Sequence, residues 1–107
     1  MLRFYKDLYW DDNIPQKKQN QIKWRLKVLK PSKSYFVITL NEGTDQLDIY
    51  NSQIFMQKYF KKQPKTVIGI AASYDGALDI IMRITQECYQ TNQNGDLKTY
   101  LAQKLND

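Results

Sequence analysis

Residues Thr66 to Tyr89 constrain the fold more than any other part of this chain. Six apolar residues, Val67-Ile68-Gly69-Ile70-Ala71-Ala72, turn through Ser73 and continue as an amphipathic segment. At about 100° per residue, Ala77, Ile80, Ile81, Ile84, Cys88, Tyr74, Leu78, Met82 and Tyr89 fill roughly half of a helical wheel, and Asp75, Asp79, Arg83, Gln86, Glu87 and Gln90 fill the rest. The pattern predicts a buried strand feeding a helix that packs back onto it. A strand apolar on both faces belongs in the middle of a sheet rather than at its edge.

The flanking segments supply the remaining elements. Leu2 to Trp10 alternates loosely, with Leu2, Phe4, Leu8 and Trp10 on one side and Lys6 interrupting that face, and Asp11-Asp12-Asn13 ends it. Pro15 suits the first turn of a helix that runs to about Leu29, where Pro31 and Ser32 stop it. Ser34 to Leu40 is rich in β-branched and aromatic residues, and Leu47-Asp48-Ile49-Tyr50 alternates as its hairpin partner across the turn at 41–45. A short helix is expected next, capped by Ser52, with Phe55, Met56, Tyr59 and Phe60 on its apolar arc and Gln63-Pro64 as its stop. After the long helix, Asn92 to Gly95 supplies a stop, and Asp96 caps a last helix carrying Leu97, Leu101 and Leu105.

The order read from the sequence is β-α-β-β-α-β-α-α. The fold class is therefore α+β or α/β, a two-layer or three-layer mixed β-sheet of about four strands with packed helices. The first six elements resemble the connectivity of a ferredoxin-like sandwich, a common host of unrelated functions. In that fold the fourth strand lies at an edge, whereas Val67 to Ala72 is apolar on both faces, so a mixed sheet with helices on both sides fits better. At 107 residues the whole chain, 1–107, is expected to form a single domain.

Composition excludes several chemistries. There is no histidine, which removes Ser-His-Asp and Cys-His catalysis and imidazole-based metal sites. With one cysteine and no histidine, a structural zinc site cannot be assembled within the chain. Cys88 lies on the apolar face of the long helix and reads as a small buried thiol. Carboxylates are the remaining raw material for catalysis; adjacent Asp11 and Asp12 could hold Mg²⁺ loosely, yet no spacing organises a third ligand around them. No cofactor is indicated, and the chain leans away from being an enzyme. The apolar run of six residues is far short of the roughly 20 that span a bilayer, and the N-terminus lacks a signal-peptide core, so the expected location is cytoplasmic.

Charge supplies the strongest functional asymmetry. Residues 15–33 hold seven cations and no acid, leaving nine cations against eleven acids elsewhere, a balance of −2. The net +5 is thus a property of one segment. Its apolar residues lie on two sides of the wheel, Ile22, Leu26 and Leu29 on one and Trp24 and Val28 on the other. If the first set faces the sheet, Trp24 projects among cations, as a surface for a nucleic-acid backbone and a stacked base would require. The same surface could meet an acidic protein or a membrane surface; the remaining alternative packs Trp24 under the C-terminal helix and leaves the lysines as a solvated face. The candidate binding residues are Lys17, Lys18, Lys23, Trp24, Arg25, Lys27 and Lys30. A second cluster, Lys58, Lys61, Lys62 and Lys65, surrounds Pro64, where lysines also complement a helix C-terminus.

Two further features have competing readings. The strand-to-helix turn at Ser73 and Tyr74 is a place where backbone N–H groups can hold an anion, but it lacks both Gly-rich phosphate spacings, and Ser73 and Asp75 fit equally as helix caps. Tyr5, Tyr9, Tyr35 and Tyr50 could line an open sheet face used for self-association, or be core residues with satisfied hydroxyls. Together these observations describe a small soluble non-enzymatic accessory or protein-interaction module, with a protein partner or self-association as the expected contact. A nucleic-acid-binding module using the basic helix is the alternative.

Overall fold

The computed structural model describes residues 2–27, 34–40, 47–56, 65–93 and 100–101. Its elements are β1 (Leu2–Trp10), α1 (Gln16–Lys27), β2 (Phe36–Leu40), β3 (Leu47–Asn51), a 3-10 turn (Ser52–Met56), β4 (Lys65–Ala71) and α2 (Tyr74–Asn92). The four strands form one mixed sheet in the order β1-β4-β2-β3, with β1 parallel to β4 and β2 antiparallel to both neighbours.

The sheet is built around β4, which sits between β1 and β2. Its side chains divide between two clusters. Val67 and Ile70 pack with Val37 and with Ile22 and Leu26 of α1, whereas Ile68 and Ala71 pack with Ile38 and with Ala77, Ile80, Ile84 and Cys88 of α2. Val37 and Ile38 are consecutive on one strand and so point to opposite faces. The two helices therefore lie against opposite faces of the sheet.

Val67 and Ile70 share a face although three residues apart because β4 is irregular there. Ile38 pairs with Gly69 and Thr39 with Val67, which leaves Ile68 as an extra residue on β4. At Gly69 a Cβ would stand 3.1 Å from the Tyr9 carbonyl oxygen and 3.2 Å from Ile80 Cγ2. The missing side chain is what lets α2 approach the strand.

Two expectations, on β1 and on the long helix, need correction, and the choice left open for the tyrosines is resolved. Among the described side chains of β1 the buried ones are Tyr5 and Tyr9, while Phe4, Leu8 and Trp10 are half-buried, because that strand is covered on both faces. Both tyrosines are core residues: the Tyr5 hydroxyl donates to the Leu101 carbonyl at 3.3 Å and the Tyr9 hydroxyl to Glu87 at 2.7 Å. Tyr35 and Tyr50 group with the opposite cluster, so the four tyrosines do not line one face. On α2 the apolar half of the wheel is not all core. Ala77, Ile80, Ile84 and Cys88 are buried, but Tyr74, Leu78, Met82 and Tyr89 are exposed, since a helix lying on a sheet buries only an arc of its circumference.

After β3 the chain makes a 3-10 turn over Ser52–Met56; the rest of the short helix expected here, with Tyr59, Phe60 and the stop at Gln63-Pro64, lies outside the described residues. Ser52 is buried and bonds across to Tyr35, its N–H donating to the Tyr35 carbonyl at 2.7 Å and its hydroxyl accepting the Tyr35 N–H at 2.9 Å. The long helix stops at Gln93, which adopts the left-handed conformation (φ 58°) and donates its N–H to the Tyr89 carbonyl. Of the expected last helix, Tyr100 and Leu101 are described; they are helical and buried. Among the described residues no helix is long and apolar enough to cross a membrane.

Candidate functional site

β1 and β4 run parallel as neighbours, yet the chain leaves β1 for a helix on one face and β4 for a helix on the other. Open sheets form a crevice where connections diverge in this way. Here a cleft of about 260 Å³ opens beside α1, with Asn13, Pro15, Lys18, Ile22, Tyr35 and Ala72 among its lining residues.

The crevice is organised by Asp11. Its side chain is 7% exposed; Oδ1 accepts the Asn13 N–H at 3.1 Å and Oδ2 the Ala72 N–H at 3.0 Å. Its own N–H donates to the Ile70 carbonyl, so the residue ties the end of β1 to the end of β4. The carboxylate also lies against Gly76 in the first turn of α2, where a Cβ would come within 2.8 Å of Asp11 Cγ. The N-terminus of α2 thus already faces a protein carboxylate, which complements the helix dipole. Ser73 caps the same helix, its hydroxyl accepting the Gly76 N–H at 3.0 Å, and Tyr74 begins the helix with its ring edge-on to Phe36, 5.9 Å between centroids. An external anion at Ser73 and Tyr74 would meet a like charge. Asp12 is exposed, and among the described residues no three acidic or thiol groups cluster to hold a metal.

Sequence reasoning named Asp11 as a strand end and a loose Mg²⁺ ligand but missed its structural role. The available signal was a short-range one: an aspartate two residues before Asn13 can close an Asx turn. Its link to Gly76, 65 residues away, has no local trace.

The basic segment is displayed by α1. Ile22 and Leu26 are its buried residues, and Trp24 is 61% exposed. Lys17, Asn20, Gln21, Trp24 and Lys27 follow one another at helical spacing and are all exposed, giving a stripe of cations and amides around an indole. No acid lies anywhere in α1. The other candidates are placed differently. Lys18 lines the cleft. Lys23 is half-buried, its Nζ 5.6 Å from the centroid of the Phe4 ring, a cation–π distance. Arg25 is half-buried too, with Nε withdrawn from water and lacking a hydrogen-bond partner among the described residues. Lys30 lies outside the described residues, as do Lys58, Lys61 and Lys62; Lys65 begins β4.

On the other face, two phenols converge on one carboxylate oxygen. Glu87 Oε1 accepts from Tyr9 at 2.7 Å and from Tyr100 at 3.1 Å. Burial first, and then the hydrogen bond to Glu87, raise both phenols above the ordinary tyrosine range, Tyr9 well above it. This joins β1, α2 and the C-terminal residues and anchors the fold. Cys88 is buried in the same cluster.

Comparison with protein-family models, curated proteins and solved structures finds no match. The functional reading therefore rests on the surfaces described above.

Proposed function

We propose that this chain is a non-enzymatic interaction module whose contact surface is the outer stripe of α1, and that the partner class is single-stranded nucleic acid. One observation carries the reading: Trp24 stands 61% exposed among cations on a helix without acids. A tryptophan left in water needs a reason, because burying a large ring is among the strongest contributions a side chain can make to a core. Lys17 and Lys27 are ten residues apart, about 15 Å along the axis, with Trp24 between them. Two cations that neutralise phosphates on either side of an indole that stacks a base suit a flexible single strand, whose bases are free to turn outward. Asn20 and Gln21 add donors and acceptors on the same stripe. The carboxylate best placed for chemistry, Asp11, is engaged by backbone N–H groups, which favours a binding role over a catalytic one.

The test is fluorescence anisotropy with labelled single-stranded oligonucleotides at about 50 and 200 mM salt. Trp24→Ala is expected to weaken binding by about 1–3 kcal/mol, the worth of one stacked base, without changing the salt slope. Lys17→Gln and Lys27→Gln are each expected to reduce that slope by about 0.7. These positions are preferred to Lys23 and Arg25, which are half-buried, so that folding is not perturbed with binding. No binding at 50 mM salt, or unchanged affinity in Trp24→Ala, refutes the proposal.

A further inference from the structure

The exposed apolar residues of α2 form one stripe. Tyr74, Leu78, Met82 and Tyr89 are 52%, 40%, 58% and 65% exposed, and Thr85 and the half-buried Ile81 lie between them. The stripe adjoins half-buried side chains of the sheet through the Tyr74–Phe36 contact. Nothing in the α1 reading uses it, because α1 lies on the opposite face.

The positions along the stripe are self-complementary. Two α2 helices laid antiparallel about a two-fold axis between residues 81 and 82 bring Tyr74 opposite Tyr89, Leu78 opposite Thr85 and Ile81 opposite Met82. In the same register Asp79 of one copy lies within one residue of level with Arg83 of the other; Asp75 lies equally near the level of Glu87, but that carboxylate is turned inward to Tyr9 and Tyr100. No acid meets an acid. A two-fold interface requires such a patch, since each surface must fit itself.

We propose that α2 is the interface of a homodimer, with two helices packed antiparallel through Tyr74, Leu78, Met82 and Tyr89. The exposed parts of these four side chains supply roughly 900 Å² over two copies, and their rim neighbours bring the pair to about 1,200 Å², the lower end of specific interfaces. These areas assume that the four residues are covered completely, so the dimer is expected to be a weak one.

Sedimentation analysis across about 5 to 200 μM tests this first. The wild type is expected to move toward twice the 12.7 kDa chain mass, and Met82→Glu to stay monomeric with an unchanged circular-dichroism spectrum. Disulfide trapping then tests the register. Cys88 is buried, so an introduced thiol is the accessible one. Met82→Cys lies next to the axis and is expected to cross-link to its copy under mild oxidation. In Leu78→Cys the two thiols stand about 10 Å apart along the helices and are expected not to link. Tyr74→Cys mixed with Tyr89→Cys is expected to give the mixed dimer. A wild type monomeric at 200 μM, a dimer that survives Met82→Glu, or equal cross-linking of Leu78→Cys and Met82→Cys overturns the proposal, and none of these results bears on the α1 surface.

Discussion

Replacing Gly76 by alanine should destabilise this protein, although the same change in most helices stabilises. Alanine is preferred over glycine in a helix interior by about 0.8–1.0 kcal/mol. At position 76, however, the new methyl falls on the Asp11 carboxylate, within 2.8 Å of Cγ. Asp11 must move, and it then loses the Asn13 and Ala72 N–H groups that it holds at 3.1 and 3.0 Å. Hydrogen bonds to a charged group contribute about 1.5–3 kcal/mol each. After partial relaxation and the gain in helix propensity, the expected net loss is about 2–3 kcal/mol. The sign should reverse in an Asp11→Ala background, where the obstacle is gone and Gly76→Ala should stabilise by about 0.5–1 kcal/mol. Urea unfolding of the wild type, the two single variants and the double variant measures the coupling, expected near 3 kcal/mol. An equal cost of Gly76→Ala in both backgrounds, or a gain in the wild type, would refute the close packing of Asp11 on the first turn of α2.

Two further outcomes follow from buried polar groups. Thr39 is fully buried and its hydroxyl has no hydrogen-bond partner among the described residues, so Thr39→Val should raise stability by about 1 kcal/mol in the same urea assay; a loss would mean that the hydroxyl is satisfied. Tyr9 keeps its proton in the folded chain well above the ordinary range, through burial first and its bond to Glu87 second. The unfolded chain loses that proton near pH 10. The stabilisation is therefore complete below about pH 10 and is lost progressively as pH rises beyond it. Melting temperatures from pH 7 to 11.5 should fall more steeply at the alkaline end for the wild type than for Tyr9→Phe, and parallel curves would contradict the reading.

The parts of the fold legible in the sequence are those written in local pattern. Val67 to Ala71 is apolar on both faces and lies mid-sheet; Ser73 and Gln93 bound a helix whose period is plain. What the sequence hides depends on contacts between distant segments. A wheel assigns Tyr74, Leu78, Met82 and Tyr89 to the apolar half of α2, but only the packed sheet decides how wide an arc is buried. Tyr5 and Tyr9 read as the weaker side of β1 because tyrosine is ambivalent, and their burial rests on acceptors at Leu101 and Glu87, 96 and 78 residues away. At α1 the wheel allowed two orientations, and burial of Ile22 and Leu26 selects the one that leaves Trp24 in water.

The two proposed surfaces are compatible because the topology separates them. α1 carries five cations and no acid, whereas α2 carries Asp75, Asp79 and Glu87 against Arg83 alone. A chain with net +5 would resist self-association if copies met through the basic segment. Meeting through α2 would keep the basic segments apart and leave each α1 on the far side of its own sheet. Stacked layers lie about 10 Å apart, so each basic stripe is at least a Debye length from the interface at physiological salt. The crossover that sends α1 and α2 to opposite faces of neighbouring parallel strands is thus what would let a basic protein pair with itself, as proposed, while keeping both cationic stripes free for the proposed polyanion.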